Sequence, residues 1–116
     1  MYRAAVIGCV GIGSQLQFDP GATKYGVCTH AAAYDAYKDT ELVSLCDTND
    51  NNLNTSMQYW NVKNGYSDWN DLLIESKPDI VSICTPTSTH FDIAVACIDS
   101  GFVKGILLEK PVAENT

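Results

Sequence analysis

Four short apolar runs constrain this chain more than any other feature. They are AAVIG (residues 4–8), ELVSLCD (41–47), DIVSICT (79–85) and GILLE (105–109). Each is about the length of a strand and apolar nearly throughout, without the polar alternation of a half-exposed strand. Such runs fit strands covered on both faces, as in a parallel sheet. Each also ends abruptly, at Gly8, at Asp47, before Pro86 and before Lys110-Pro111.

Helix-length segments separate the runs. Residues 29–38 (THAAAYDAYK) are alanine-rich, and residues 49–60 place Leu53, Met57 and Trp60 on one face. Residues 68–76 carry Trp69, Leu72 and Leu73 at i, i+3, i+4, with Ser67 or Asp68 able to cap the start and Pro78 enforcing the end. Residues 89–100 form a further helix that stops at Gly101. A short fifth strand is expected near Gly65-Tyr66. Alternation of this kind with right-handed crossovers predicts an α/β fold, a doubly wound parallel sheet in three α/β/α layers, with strand order 3-2-1-4-5. Residues 14–28 interrupt the pattern with Pro20, Gly21 and Gly26, and read as a loop or as a short helical turn followed by a loop.

The length, 116 residues, suits one domain, and 46% apolar with 18% charged residues is an ordinary globular balance. The net charge of −7 argues against nucleic acid or an anionic membrane surface as partner. No apolar run approaches the ~20 residues of a membrane span, and the glycine-interrupted start does not resemble a signal peptide, so a cytoplasmic protein is expected. The five cysteines are odd in number and include no C-x-x-C, which argues against a disulfide framework or a zinc site; they read as small core residues. Cys9 is the one expected nearest a ligand.

Four features carry chemistry. VIGCVGIGSQ (residues 6–15) follows the first strand. Its glycines, Gly8, Gly11 and Gly13, resemble a phosphate-binding turn, but Val10 stands where G-x-G-x-x-G has its middle glycine. It reads either as such a turn, with Gly11 supplying the close approach, or as a strand-to-loop turn whose glycines serve only the backbone. Asp47 ends the second strand, where an acid can bond both ribose hydroxyls of an adenosine, or can cap the next helix. Its separation from Gly8 exceeds the ~20 residues of the compact motif, and the 14–28 segment accounts for most of the excess. Thr48 and Asn49 follow with no cation for a 2′-phosphate, which favours NAD over NADP. CTPTSTH (84–90) lies between a strand and a helix at the carboxyl edge, where ligands bind in such sheets; His90 is either part of that site or a structurally bonded histidine. LLEKPV (107–112) places Lys110 at the same edge, where a lysine can hydrogen-bond a substrate hydroxyl and assist its proton transfer.

Together these features resemble the N-terminal domain of the glucose-fructose oxidoreductase/inositol dehydrogenase/rhizopine-catabolism (Gfo/Idh/MocA) family, over essentially the whole chain. CTPTSTH followed by LLEKP, with Cys46-Asp47 upstream, is the most specific part, and His30 in THAAAY matches a position common in the family. The resemblance implies NAD(P)-dependent hydride transfer at a hydroxyl/carbonyl carbon, often of a sugar or cyclitol. It implies that the turn Gly8, Cys9, Val10, Gly11, Ile12 and Gly13 lines the pyrophosphate and Asp47 the ribose. Thr85, Pro86, Thr87 and His90 would flank the nicotinamide half. Glu109, Lys110 and Pro111 match the family's Glu-Lys-Pro, with Lys110 the candidate catalytic residue facing nicotinamide and substrate. No metal is implied.

Two departures stand out. Val10 replaces a glycine. Family members continue into a second α/β domain that supplies most of the substrate pocket and usually the oligomer interface, whereas this sequence stops at Thr116. The expectation is therefore a dinucleotide-binding domain, residues 1–116, of an oxidoreductase. The alternatives are a regulatory or scaffold module that binds the dinucleotide without turnover, which retention of Lys110 disfavours, and a doubly wound domain that has lost the cofactor, for which Val10 is the main argument.

Overall fold

The computed structural model describes residues 1–9 and 29–108. Its strands are β1 (Tyr2–Ile7), β2 (Thr40–Cys46), β3 (Asn64–Tyr66), β4 (Ile80–Ile83) and β5 (Gly105–Leu108). Its helices are α1 (His30–Ala36), α2 (Asp50–Trp60), α3 (Trp69–Ser76) and α4 (Thr87–Ser100). The five strands form one sheet in the order β3-β2-β1-β4-β5, with every pairing parallel. This is the doubly wound sheet expected from the apolar runs.

Side-chain alternation along β1 divides the core in two. Ala4 and Val6 join Cys9, Ala31, Tyr34, Leu45, Leu53 and Val62 in a cluster beneath α1 and α2. Ala5 and Ile7 join Leu72, Leu73, Val81, Ile83, Ile93 and Cys97 beneath α3 and α4. The period of two in a strand sends neighbours to opposite faces, so a run with no polar position needs a helix layer on each side. The pairing of β1 with β2 slips by one residue between Ala4 and Ala5, where Val43 bulges. The Asn64 side-chain amide donates to the Val43 carbonyl at 3.4 Å, so the bulge keeps a partner.

Local chemistry sets the helix limits, and here the structure corrects the sequence reading. The helix expected over residues 29–38 is shorter. Thr29 is its cap, accepting the Ala32 N–H at 3.1 Å, and the helix stops at Ala36. The Thr40 hydroxyl reaches back to the Tyr34 and Tyr37 carbonyls at 2.8 and 3.2 Å, giving these late carbonyls a partner that another helical turn would displace. Asp68, not Ser67, caps α3. The last helix begins at Thr87 instead of Thr89, because Pro86 stands at the cap and Thr89 turns its N–H (3.0 Å) and hydroxyl (2.8 Å) back onto the Pro86 carbonyl. Leu53, Met57 and Trp60 do share the inner face of α2.

Both Asn61 and Lys77 hold the left-handed conformation at helix C-caps. Asparagine tolerates it; for lysine it costs roughly 1–2 kcal/mol. Lys77→Gly is expected to raise unfolding stability by about 0.5–1 kcal/mol after the extra freedom of glycine in the unfolded chain is discounted. Urea denaturation checks this, and a loss of stability would show that the αL strain at Lys77 is absorbed elsewhere.

Candidate functional site

The carboxyl ends of β1, β2 and β4 converge at Gly8. Its N–H donates to the Cys46 carbonyl at 2.8 Å, while the Cys84 N–H donates to the Ile7 carbonyl at 2.8 Å. Gly8 has φ +97°, and a Cβ there would lie 2.7 Å from both the carbonyl carbon and oxygen of Cys84. Only glycine meets both demands, the left-handed backbone and the absent side chain. The first glycine of the turn therefore fixes how closely β1 and β4 approach.

Asp47 follows β2 directly and is half-buried. Its Oδ2 accepts the Cys9 N–H at 2.9 Å, and its Oδ1 accepts the Asn49 N–H at 2.8 Å. The capping role belongs to Asn49, whose Oδ1 accepts the Asn52 N–H at 3.0 Å. Asp47 instead ties the glycine turn to the β2–α2 connection, with one oxygen committed to each. A carboxylate has about four acceptor sites, so each oxygen retains capacity for a further hydroxyl donor.

Across the cleft, Thr85, Pro86 and Thr89 form the other rim. Thr89 Oγ1 lies 2.6 Å from Thr85 Oγ1. His90 Nε2 lies 2.6 Å from the Thr85 carbonyl. A carbonyl only accepts, so Nε2 carries the proton and donates. His90 thus braces the loop that presents Thr85, whatever further role it has. Between the rims lies a cavity of about 460 Å³. Ile7, Cys46, Trp69 and Ile93 give it apolar walls, and Asp47, Thr48, Ser67 and Thr85 give it a polar rim. It sits where β1 and β4 lead their chains to opposite faces, the switch point at which open α/β sheets bind ligands.

Sequence reading missed Trp69, Ser67, Thr48 and Ile93 as wall residues. Trp69 carried a helical-face signal that marks core and cleft walls alike. Cys9 was expected near a ligand. It is fully buried in the α1/α2 core cluster, with its Sγ 3.5 Å from the Cys46 carbonyl. His30 starts α1 as expected and lies with Nδ1 2.9 Å from Ser82 Oγ, which is also 2.6 Å from the Tyr34 hydroxyl. Val10, Gly11, Ile12, Gly13, Glu109, Lys110 and Pro111 lie outside the described residues.

Burial pushes the Cys9 thiol up to about 12, aided by the Asp47 charge; burial does the same to Cys46, aided by Cys9 and Asp47. Burial raises Cys97 to about 11. Unfolded thiols ionise near 9 while these stay neutral, so ionisation favours the unfolded chain. Stability should be full below pH ~9 and fall above it by up to about 1.4 kcal/mol per pH unit for each thiol. Cys97→Ala should reduce that slope by one thiol's share in denaturation curves taken from pH 8 to 11; an unchanged slope would contradict the assignment.

Residues 2–116 match GFO_IDH_MocA, the oxidoreductase family with an NAD-binding Rossmann fold. The D-glucoside 3-dehydrogenase of Escherichia coli K12 is 28% identical over 93 residues, covering 80% of this chain and 26% of that protein. The myo-inositol 2-dehydrogenase of Thermotoga maritima is 27% identical over 86 residues, covering 74% of this chain and 25% of that protein. Among solved structures, the WlbA dehydrogenase of Chromobacterium violaceum, in complex with NADH and UDP-GlcNAcA, is 26% identical with a TM-score of 0.67, covering 98% of this chain and 28% of that one. The chain therefore spans about a quarter of the length of the curated relatives it matches. With its sheet order, its glycine at the switch point and its match from residue 2 to 116, the chain belongs to the GFO_IDH_MocA oxidoreductase family, as an NAD-binding Rossmann domain.

Proposed function

We propose that this chain holds NAD along the carboxyl edge of its sheet, for an oxidoreductase that moves hydride between nicotinamide and a hydroxyl/carbonyl carbon of a sugar- or cyclitol-like substrate. The observation that carries the reading is Asp47. Its carboxylate stands at the rim of an apolar cleft, oriented by two backbone N–H groups and able to accept further hydroxyl donors. The residues fit the group. The cavity has apolar walls and an acid on its rim, and Gly8, which carries no side chain, is part of its lining.

In this reading Asp47 accepts the adenosine ribose hydroxyls. Gly8, with Cys9, Val10, Gly11, Ile12 and Gly13, lines the pyrophosphate. Thr85, Pro86, Thr87 and His90 border the nicotinamide half, with the His90 imidazole bracing the Thr85 carbonyl. Glu109, Lys110 and Pro111, as the family's Glu-Lys-Pro, border the cofactor, and Lys110 exchanges a proton with the substrate oxygen. Bound dinucleotide supplies the hydride acceptor or donor. NAD is favoured over NADP because a 2′-phosphate would meet the Asp47 carboxylate with only Thr48, Asn49 and the acidic Asp50 following it in the chain. Free, buried Cys9, Cys46 and Cys97 suit a reducing compartment such as the cytoplasm. The sugar- and cyclitol-acting relatives support the substrate class.

Calorimetric titration of the chain with NAD and NADP tests the cofactor. NAD is expected to bind more tightly than NADP, and no binding of either at millimolar concentration would sink the reading. Asp47→Ala should weaken NAD by roughly 10- to 100-fold, the worth of hydrogen bonds to a charged acceptor; unchanged affinity would remove Asp47 from the ribose role. In a protein that carries the substrate domain as well, Lys110→Ala should lower turnover by roughly 10²- to 10⁴-fold with little effect on NAD affinity. Equal effects on both would restrict Lys110 to cofactor binding.

A further inference from the structure

We infer that Trp69 is the wall against which the base of the bound nucleotide stacks, and that its indole reports occupancy of the site. The inference rests on the dinucleotide reading above and assigns a role to a residue that neither the glycine turn nor the Glu-Lys-Pro motif includes.

Trp69 is the first residue of α3, held at that point by the Asp68 cap, whose Oδ1 accepts the Asn70 N–H at 2.8 Å. It is half-buried. Part of it packs on the core cluster of Leu72, Ile83 and Ile93, and part lines the cavity beside Cys46 and Asp47. The register explains this proximity. Cys46 pairs with Tyr66, and the Asp47 N–H donates to the Tyr66 carbonyl at 3.1 Å, so the turn into α3 runs alongside the acid. A ribose bonded to Asp47 therefore presents its base to the space between Trp69 and the Thr85–Pro86–Thr89 rim. Among the described residues, Trp69 is the one aromatic in that lining. An indole gives a planar base a larger and more polarisable face than the aliphatic walls, and stacking on it needs no hydrogen-bond readout. Ser67 and Thr89 place hydroxyls at the edges of the same space.

The sequence contains two tryptophans, Trp60 and Trp69. Trp60 packs on the α1/α2 face and Trp69 on the opposite face, so the sheet separates them. Trp60→Phe leaves a single indole at the cleft. In that background AMP and NAD are expected to quench the fluorescence on binding, while nicotinamide mononucleotide does not. Trp69→Ala should weaken AMP and NAD alike, by about ten-fold each, as loss of one base–aromatic stack does. Because Trp69 also packs on the core, Trp69→Leu and Trp69→Phe separate packing from stacking. Leucine keeps an apolar contact but no aromatic face and should bind as weakly as alanine; phenylalanine should bind close to wild type. If Trp69→Leu binds AMP as wild type does, the inference is overturned while the dinucleotide reading stands. If the wild-type chain binds neither dinucleotide, both fall.

Discussion

The approach of Gly8 to the Cys84–Thr85 backbone is the contact on which the rest of the site depends. Parallel strands hydrogen-bond at even spacing, so β1 can accept β2 on one side and β4 on the other only if its exit is clear of both. The Gly8 N–H closes the ladder toward β2, and the Ile7 carbonyl closes it toward β4. The chain must then turn away with φ +97° through a gap too narrow for a methyl group. Any side chain at this position would force β1 and β4 apart at their ends. Thr85 and Asp47 face each other across the cleft because they stand immediately beyond those ends, so their separation is set by this backbone contact.

Much of this architecture was legible in the sequence because strand burial and chain breaks leave direct marks. The apolar runs mark the strands but not always cover on both faces: DIVSICT is buried over Val81–Ile83 of β4, whereas GILLE leaves Leu107 and Leu108 half-exposed on the edge strand β5. Pro78, Pro86 and Gly101 stop helices or strands through their own backbone chemistry. Asp47 was legible for a similar reason, being an acid that ends an apolar run. Helix starts were less so. Thr87, Ser88 and Thr89 offer similar capping chemistry, yet none of them caps: Pro86 stands at that position without a side-chain bond, and Thr89 turns back onto its carbonyl from inside the helix. Trp69 shows the limit most clearly. Its spacing with Leu72 and Leu73 marks a buried face, and the residue does pack on the core. A residue at the first position of a helix nevertheless borders the carboxyl edge as well, and no local pattern separates the two.

Ser82 illustrates a different kind of illegibility. Within an apolar run it reads as a tolerated small residue, yet it is fully buried and anchors two side chains of α1. Its hydroxyl has one proton and two lone pairs, enough to join the His30 ring nitrogen and the Tyr34 hydroxyl. Burial raises the Tyr34 pKa, and the Ser82 hydrogen bond opposes that rise. The seven-residue α1 has little intrinsic helical stability. The buried alanines at 31 and 32 let it sit close to the sheet, and this polar clasp fixes its rotation there. The partner residues are far apart in sequence, so only the fold brings them together.

Asp47 combines structural and chemical demands in one carboxylate. Its two hydrogen bonds to the backbone orient it before any ligand arrives, which lowers the ordering cost of binding. That matters in a chain of net charge −7, because the long-range field opposes an approaching anion such as a dinucleotide. That field is screened within about 8–10 Å at moderate salt. Recognition must therefore come from contacts shorter than this: backbone N–H groups at the turn, hydroxyls at the rim and apolar walls around the base. Among the described residues the cleft has the hydroxyls and the apolar walls, and Asp47 is the one formally charged residue of that lining. An acid in that place favours hydroxyl donors over phosphate, so on the proposed reading the carboxylate that ties Cys9 to the β2–α2 connection also favours NAD over NADP.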